Sequence, residues 1–480
     1  MKKIVTSLAI AMAATSAFAG GLLTTTNQNA HSLRFFSQEA DINLTSLYAN
    51  PAGQAFLNKG WHISASSMTA MQSRTIQSTF PLFVLNQNNN SATHTFKGEA
   101  FAPVVPSFDF AYVQDKWTIS ARFGVVAGGG TCEFEDGLGS LEALTIKNGI
   151  AGIANAWANT MLPTGMTVAQ ATAMGYMQQG MSQEAAMAQV QKDAAAFGQQ
   201  NFKAYTVNPY MKGKQNYFGF QVGGTYKFLD NLSAYVGLRG VYATCAYVGG
   251  IDGVSVNGQN APGMSLDCQQ QGFGITPIIG VHYRPIKGLE LAAKYEFQTK
   301  INLKNTTTPE SAAVTEVLPL YKDGQNVRTD MPALLTIGAQ YRPIENLKVA
   351  ASWRYYFDKS ATKDGYVNNQ KVNMNDLVDN NTQEFLASVE YKFCKWVAAS
   401  FSWQNTSFGL SDAYMSDTDF TLSSNSIGGG LRIYPCKLLN IDLGYMHTFY
   451  QNRELTDANG IQNKFSRNNN AFGIGLNFAF

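Results

Sequence analysis

The side chains best suited to chemistry are few and dispersed. The five histidines stand at 31, 62, 94, 282 and 447, with no two at metal-ligand spacing. The five cysteines, at 132, 245, 268, 394 and 436, contain no C-x-x-C. His282 and His447 have no evident nucleophile or acid beside them, so no catalytic unit is marked. No cofactor, metal or enzymatic activity is expected. What stands out is a set of cations in apolar surroundings: Arg122, Arg239, Lys294 and Arg354. A guanidinium fork or an ammonium suits a carboxylate. Two roles are open for them. They could meet a ligand head group, or pair inside the protein with Glu39, Asp41, Glu290 or Glu296.

The segments that carry these cations alternate with period two, the signal of a strand with two unlike faces. In 289–298, Leu289, Leu291, Ala293, Tyr295 and Phe297 share one face and Lys294 lies on the other. In 347–358, Leu347, Val349, Ala351, Trp353, Tyr355 and Phe357 oppose Lys348, Ser352, Arg354 and Asp358. Arg122 and Arg239 fall on the polar phase of 117–125 and 232–239. A cation facing lipid at mid-membrane costs about 2–4 kcal/mol, so the polar phase would face inward.

Fourteen such strands are expected, near 60–75, 104–114, 116–128, 216–229, 231–248, 271–284, 288–302, 331–342, 345–358, 384–393, 395–406, 421–434, 438–451 and 470–480. Short turns near 115, 230, 286, 344, 394 and 436 alternate with long polar loops near 76–103, 129–215, 249–270, 303–330, 359–383, 407–420 and 452–469. That parity fits an even-stranded transmembrane barrel with short turns on one side and long loops outside. Tyr226, Tyr283, Tyr341, Tyr391 and Tyr434 each fall at a strand end beside a short turn, where an aromatic girdle would lie.

Composition supports an all-β membrane protein. The 480 residues include 35 Lys plus Arg against 33 Asp plus Glu, 12% aromatics and 43 Gly. A disordered chain would be more charged and less aromatic, and near-neutrality argues against a nucleic-acid partner. Lys2 and Lys3, an apolar stretch from Leu8 to Ala14, and Ala17-Phe18-Ala19 read as a signal peptide over 1–19. An exported chain can oxidise its cysteines. Cys245 with Cys268, and Cys394 with Cys436, are pairs left open as disulfides.

Residues 20–59 precede the first strand and carry Arg34, Glu39 and Asp41, then Asn50-Pro51-Ala52. They read as a compact hatch inside the barrel, with a turn at Asn50-Pro51. The start Gly20-Gly21, the Asn-Gln-Asn-Ala stretch at 27–30, Asn50-Pro51-Ala52 before the first of fourteen strands, Gly128-Gly129-Gly130 after the third, and terminal Phe480 together resemble the FadL-type outer-membrane transporters of long-chain fatty acids and other hydrophobic compounds. The resemblance spans nearly the whole mature chain. It implies a 14-stranded antiparallel barrel over 60–480, a hatch over 20–59, and lateral ligand exit near a kinked third strand. It also implies a gating role for Leu22 and Leu23 and a location in the outer membrane of a Gram-negative bacterium. Asn50, Pro51 and Ala52 would shape the hatch, and Gly128, Gly129 and Gly130 would either bend the wall or start the loop.

The 129–215 connection departs from the family pattern. Thr167–Met177 and Ser182–Phe197 read as helices with N-caps, and Met161, Met166, Met174, Met177, Met181 and Met187 cluster there. They form either an adaptable capture surface or the packing of a loop subdomain. Expected partners are a long-chain fatty acid or another hydrophobic small molecule, outer-membrane lipid and lipopolysaccharide, and the barrel assembly machinery that would read the terminal aromatic strand. A monomer is expected. A general diffusion porin and a structural or adhesive barrel are the alternatives.

Overall fold

The computed structural model describes residues 28–480 except 317, 368 and 369. The signal peptide, Gly20, Gly21, Leu22, Leu23 and Asn27 lie outside the described residues. The wall is built from β1 (Gly60–Thr79), β2 (Thr93–Val113), β3 (Trp117–Phe134), β4 (Tyr205–Leu229), β5 (Leu232–Val256), β6 (Met264–Ile286) and β7 (Leu289–Glu296). It continues through β8 (Leu334–Ile344), β9 (Leu347–Tyr356), β10 (Val378–Lys392), β11 (Val397–Leu410), β12 (Ser424–Cys436), β13 (Leu439–Tyr450) and β14 (Gln462–Ala479). Each pairs antiparallel with the next, and β14 returns to β1 from His62↔Ala479 to Thr79↔Gln462. Closure leaves no sheet edge unpaired at the seam, which a lipid-embedded wall requires. Cα register, not chain proximity, therefore fixes which side chains meet.

Near the short turns the outward phase is apolar. Ile63, Ile119, Val222, Leu238, Ile279 and Leu476 point out and are exposed. Their inward neighbours Ser64, Ser120, Gln221, Arg239, Ile278 and Asn477 are buried. Water would penalise that outer belt at about 25 cal/mol per Å² of apolar surface, and hydrocarbon removes the penalty. A closed barrel with such a belt spans an outer membrane. Tyr226, Tyr283, Tyr341 and Tyr391 are exposed beside the short turns, as a girdle demands; Tyr434 is only half-exposed.

Toward the long loops the pattern inverts. On β2, Thr95, Lys97 and Glu99 face out while His94, Phe96 and Ala100 are buried; on β4, Lys212 and Lys214 face out while Val207 and Met211 are buried. Several strands thus run beyond the sequence expectation. β2 starts at Thr93 and not 104, β4 at Tyr205 and not 216, and β6 at Met264 and not 271. These extensions leave the hydrocarbon and wrap an apolar core that includes Phe83, Phe134, Leu141, Tyr321, Phe420 and Phe465. That core closes the long-loop end.

The hatch carries the short helix α1 (Ala30–Arg34) and 3-10 turns at Leu44–Ser46 and Pro51–Phe56. The long connection after β3 folds into α2 (Gly139–Ala158), α3 (Val168–Gln178) and α4 (Gln183–Asn201). Thr167 caps α3 in a reciprocal box with Gln170, and the Ser182 hydroxyl accepts from the Ala185 N–H at the start of α4. Met161, Met174, Met177, Met181 and Met187 are exposed, so they do not fill a loop core. All five cysteines are free. Cys245 lies opposite Gln270 and Cys268 opposite Tyr247, so the two thiols are offset diagonally, and cross-strand diagonals lie about 7–8 Å apart.

Candidate functional site

The hatch is bolted to the lumen by ions. Arg34 donates from Nε to Asp442 at 2.6 Å and also reaches Glu390. Asp442 also accepts from Arg432 at 2.8 and 2.6 Å. Lys348 joins Asp41 at 3.1 Å and Glu390 at 3.0 Å. At the far end of the hatch, the Asn50 side chain accepts from the Ala52 N–H at 3.1 Å and donates to the Val281 carbonyl at 2.9 Å. The Pro51 carbonyl accepts from Thr225 Oγ1 at 3.1 Å and the Ala52 carbonyl from Ser233 Oγ at 2.7 Å. Pro51 suits the first position of its turn because its missing N–H has no partner there. The Asn50-Pro51-Ala52 corner is thus a set of bolts to β4, β5 and β6.

Three of the four cations singled out from sequence converge on one hatch residue. The guanidinium groups of Arg122 and Arg239 lie 5.3 and 4.6 Å from the Tyr48 ring centre, and the Lys294 ammonium 5.0 Å. Such contacts are attractive where water is excluded. Arg122 pairs with Asp109, its direct cross-strand neighbour. Arg239 pairs with Glu296 at 2.7 Å, and Lys294 bonds both Glu296 and the Tyr48 carbonyl, the latter at 2.8 Å. Arg354 pairs with Glu39 at 2.6 Å and Glu384 at 3.3 Å. Of the four, Arg354 alone lines the cavity described next.

Between hatch and outer core lies a cavity of about 440 Å³, within the usual range of small-molecule pockets. Its floor includes Ser32, Leu33 and Phe36 of the hatch, and its side reaches Ala102, Val104, Val105, Val125, Gly128 and Gly130. That side coincides with a break in the wall. β2 and β3 pair from Val113↔Thr118 to Ser107↔Gly124 and again from Ala100↔Cys132, but not between. Residues 101–106 and 125–131 have no ladder to each other. Pro103 and Pro106 fall in this stretch and have no N–H to offer. Across the gap, β3 bulges: its register with β4 slips between Val125 and Ala127 and again before Gly130. Gly128 has φ +95° and Gly130 φ +74°. A Cβ on Gly128 would sit 2.4 Å from the Gln215 carbonyl oxygen, so only glycine fits there. Gly128, Gly129 and Gly130 belong to β3 and do not start the loop. Val104 lines the cavity and is also 66% exposed, so the cavity reaches the outer surface of the barrel at the gap.

No family model and no curated protein matches the sequence. Solved structures do. A FadL homologue from Pseudomonas aeruginosa superimposes with a TM-score of 0.60 at 13% identity, covering 96% of this chain and 99% of that one. The chain folds as a FadL-type outer-membrane barrel. The Ralstonia pickettii toluene transporter TbuX aligns over 94% of this chain and 98% of its own, with a TM-score of 0.53 and 14% identity. The Pseudomonas putida toluene transporter TodX aligns over 97% and 100%, with a TM-score of 0.55 and 11% identity. Identities this low speak for the FadL-type architecture and leave the cargo to be argued from the site.

The gap had two signals in the sequence. One is the glycine triplet at 128–130, which suits a bend. The other is Pro103 and Pro106, which stand inside an alternating segment that carries wall hydrogen bonds elsewhere. The cation pairings are partly legible: Glu39 and Glu296, both among the expected partners, pair with Arg354, Arg239 and Lys294, whereas Arg34 and Asp442 meet only through closure of the barrel.

Proposed function

We propose that the protein passes hydrophobic small molecules across the outer membrane, taking them into the lumen cavity and releasing them sideways through the gap between β2 and β3. The observation that supports this reading is the coincidence of the lumen cavity with the stretch where the β2–β3 ladder is open. The hatch blocks the straight route to the short-turn side, so a greasy molecule has its lowest-cost exit through the wall into lipid. Apolar side chains from Leu33, Met68, Val105 and Val125 line the way. The likeness to toluene transporters and to a FadL homologue supports cargo of this class, long-chain fatty acids included. Ligand-dependent displacement of the start of the hatch, with Leu22 and Leu23, is the gate that this reading carries. The exposed methionines on α3 and α4 supply an adaptable first contact for apolar cargo.

Flux into proteoliposomes tests the reading. A long-chain fatty acid or an aromatic hydrocarbon should enter faster with the protein than without it, while a small sugar should not. Sugar entry at a rate matching that of the hydrophobic probe would identify a diffusion pore instead.

A further inference from the structure

We propose that the short-turn rim of the barrel binds an anionic phospholipid of the periplasmic leaflet, with its phosphate on Lys287 and Arg342 and an acyl chain in a groove above them on the outer face of β7–β10. The site is separate from the lumen cavity and stands whatever cargo the barrel passes.

Short turns of an outer-membrane barrel face the periplasm, and here their charge is one-sided. Residues 114–116, 227–231, 284–288, 342–346, 392–396 and 437–438 hold eight Lys and Arg against three Asp and Glu, in a sequence near balance at 35 against 33. The excess is therefore a property of this rim and not of composition. It is concentrated where the β6–β7, β8–β9 and β10–β11 turns stand side by side. Arg284, Lys287, Arg342, Lys392 and Lys395 lie in those three turns, with Glu345 as their single acid. Backbone hydrogen bonds tie the turns together. The Arg342 N–H donates to the Gly288 carbonyl at 2.8 Å, and the Lys392 N–H to the Asn346 carbonyl at 2.9 Å. Arg284 is already paired with Glu290 at 3.1 Å, Lys392 lies over the Tyr434 ring, and Lys395 lies over the Trp396 ring. Lys287 and Arg342 are exposed, and among the described residues neither has a carboxylate within 4.0 Å.

The wall above these two cations is grooved. Ala339 and Ala351 stand directly opposite each other on β8 and β9, and both are exposed on the lipid-facing phase. The next outward row, away from the turns, is Ile337, Trp353 and Phe385, each opposite the next. On the other flank Ala293 lies opposite Ile337. Small side chains below a ledge of large ones leave a groove of about 590 Å³, within the range of sites that hold small molecules. A groove in a rigid wall forfeits dispersion contacts unless a chain lies in it. Ala339 is three residues from Arg342, about 10 Å along the strand, so a lipid with its phosphate at the rim reaches the groove with its acyl chain. Tyr341 is exposed between the two, at the depth where aromatic rings sit among head groups. A guanidinium fork takes two phosphate oxygens, and the ammonium adds a point charge. An anionic head group answers the surplus of cations, whereas a zwitterionic one brings a further cation to the rim.

The test titrates the intact protein in a neutral detergent with dioleoylphosphatidylglycerol or dioleoylphosphatidylethanolamine, which share their chains and differ in charge, and counts retained lipid by native mass spectrometry. Wild type should retain the anionic lipid about tenfold or more over the zwitterionic one. Lys287→Gln with Arg342→Gln, two exposed changes that leave the barrel intact, should bring the ratio toward one. Ala339→Phe, which fills the groove and alters no charge, should also lower retention of the anionic lipid. Lys116→Gln, on the β2–β3 turn away from the groove, should leave the ratio as it is. Equal retention of the two lipids by wild type overturns the site. So does an equal fall in the ratio with Lys116→Gln, which would mean diffuse attraction to the whole rim, or full retention in Ala339→Phe. A lipid-free dimer that Ala339→Phe splits would give the groove to a second copy of the chain and overturn the proposal as well.

Discussion

Replacing Asp442 with alanine should destabilise the protein by about 3–5 kcal/mol, the usual consequence of removing one member of a buried ion pair. Asp442 is 1% exposed and accepts from Arg34, Arg432 and Asn477. Its loss leaves Arg34 with Glu390 and the Ser400 hydroxyl, and Arg432 with the His31 ring nitrogen. Because Arg34 belongs to α1 and Asp442 to β13, the same change should loosen the hatch from the wall. Asp442→Asn keeps the shape and one acceptor, so it should lose less. Urea titration in detergent measures the stability, and protease cleavage within residues 28–59 reports the hatch. A loss below about 1 kcal/mol with an unaltered cleavage pattern would show that the hatch is held by packing instead.

Gly128→Val should cut uptake of a hydrophobic probe by about tenfold or more while the barrel still folds. The native φ of +95° excludes a β-branched residue, and its Cβ would collide with the backbone of Gln215. Strain of about 1–3 kcal/mol is expected at such a position, and the chain relieves it by giving up the bulge that separates β3 from β2. Gly258 also has positive φ, +77°, but nothing lies within 4 Å of its added Cβ. Gly258→Val therefore controls for backbone strain alone and should leave uptake near wild type. Heat-modifiable migration in a denaturing gel confirms folding of both. Equal uptake by the two variants would separate transport from the bulge.

The fourteen strands were legible because the two sides of this wall are unlike solvents. Ile119, Ala121 and Phe123 against Ser120 and Arg122 need no tertiary information to declare their faces. That clarity ended where the wall leaves the hydrocarbon. On β2, the phase that is polar beside the belt becomes apolar at Phe96, so a reader following one phase loses the strand ten residues early. α2 was missed for a different reason: its cap residue, Leu138, makes no side-chain hydrogen bond, and its Ala- and Gly-rich run carries little periodicity. The lumen cations are legible by phase, and Glu39 and Glu296 stand among their expected partners and do pair with Arg354, Arg239 and Lys294. Other contacts are not legible. Asp109 opposite Arg122 is a fact of register, and Tyr48 beneath three cations is a fact of how the hatch sits. Arg74 and Arg467 lie at opposite ends of the chain and become neighbours only when β14 closes on β1.

The central claim is the sideways route, and photolabelling tests it most directly. A fatty acid with a photoreactive group near the tail end, bound to the protein in a lipid membrane and then irradiated, should leave adducts on residues 101–106 and 125–131. Peptide mass spectrometry would place them. Adducts confined to the hatch around residues 50–59, with none along the gap, would mean that cargo runs straight through the barrel and would contradict the account.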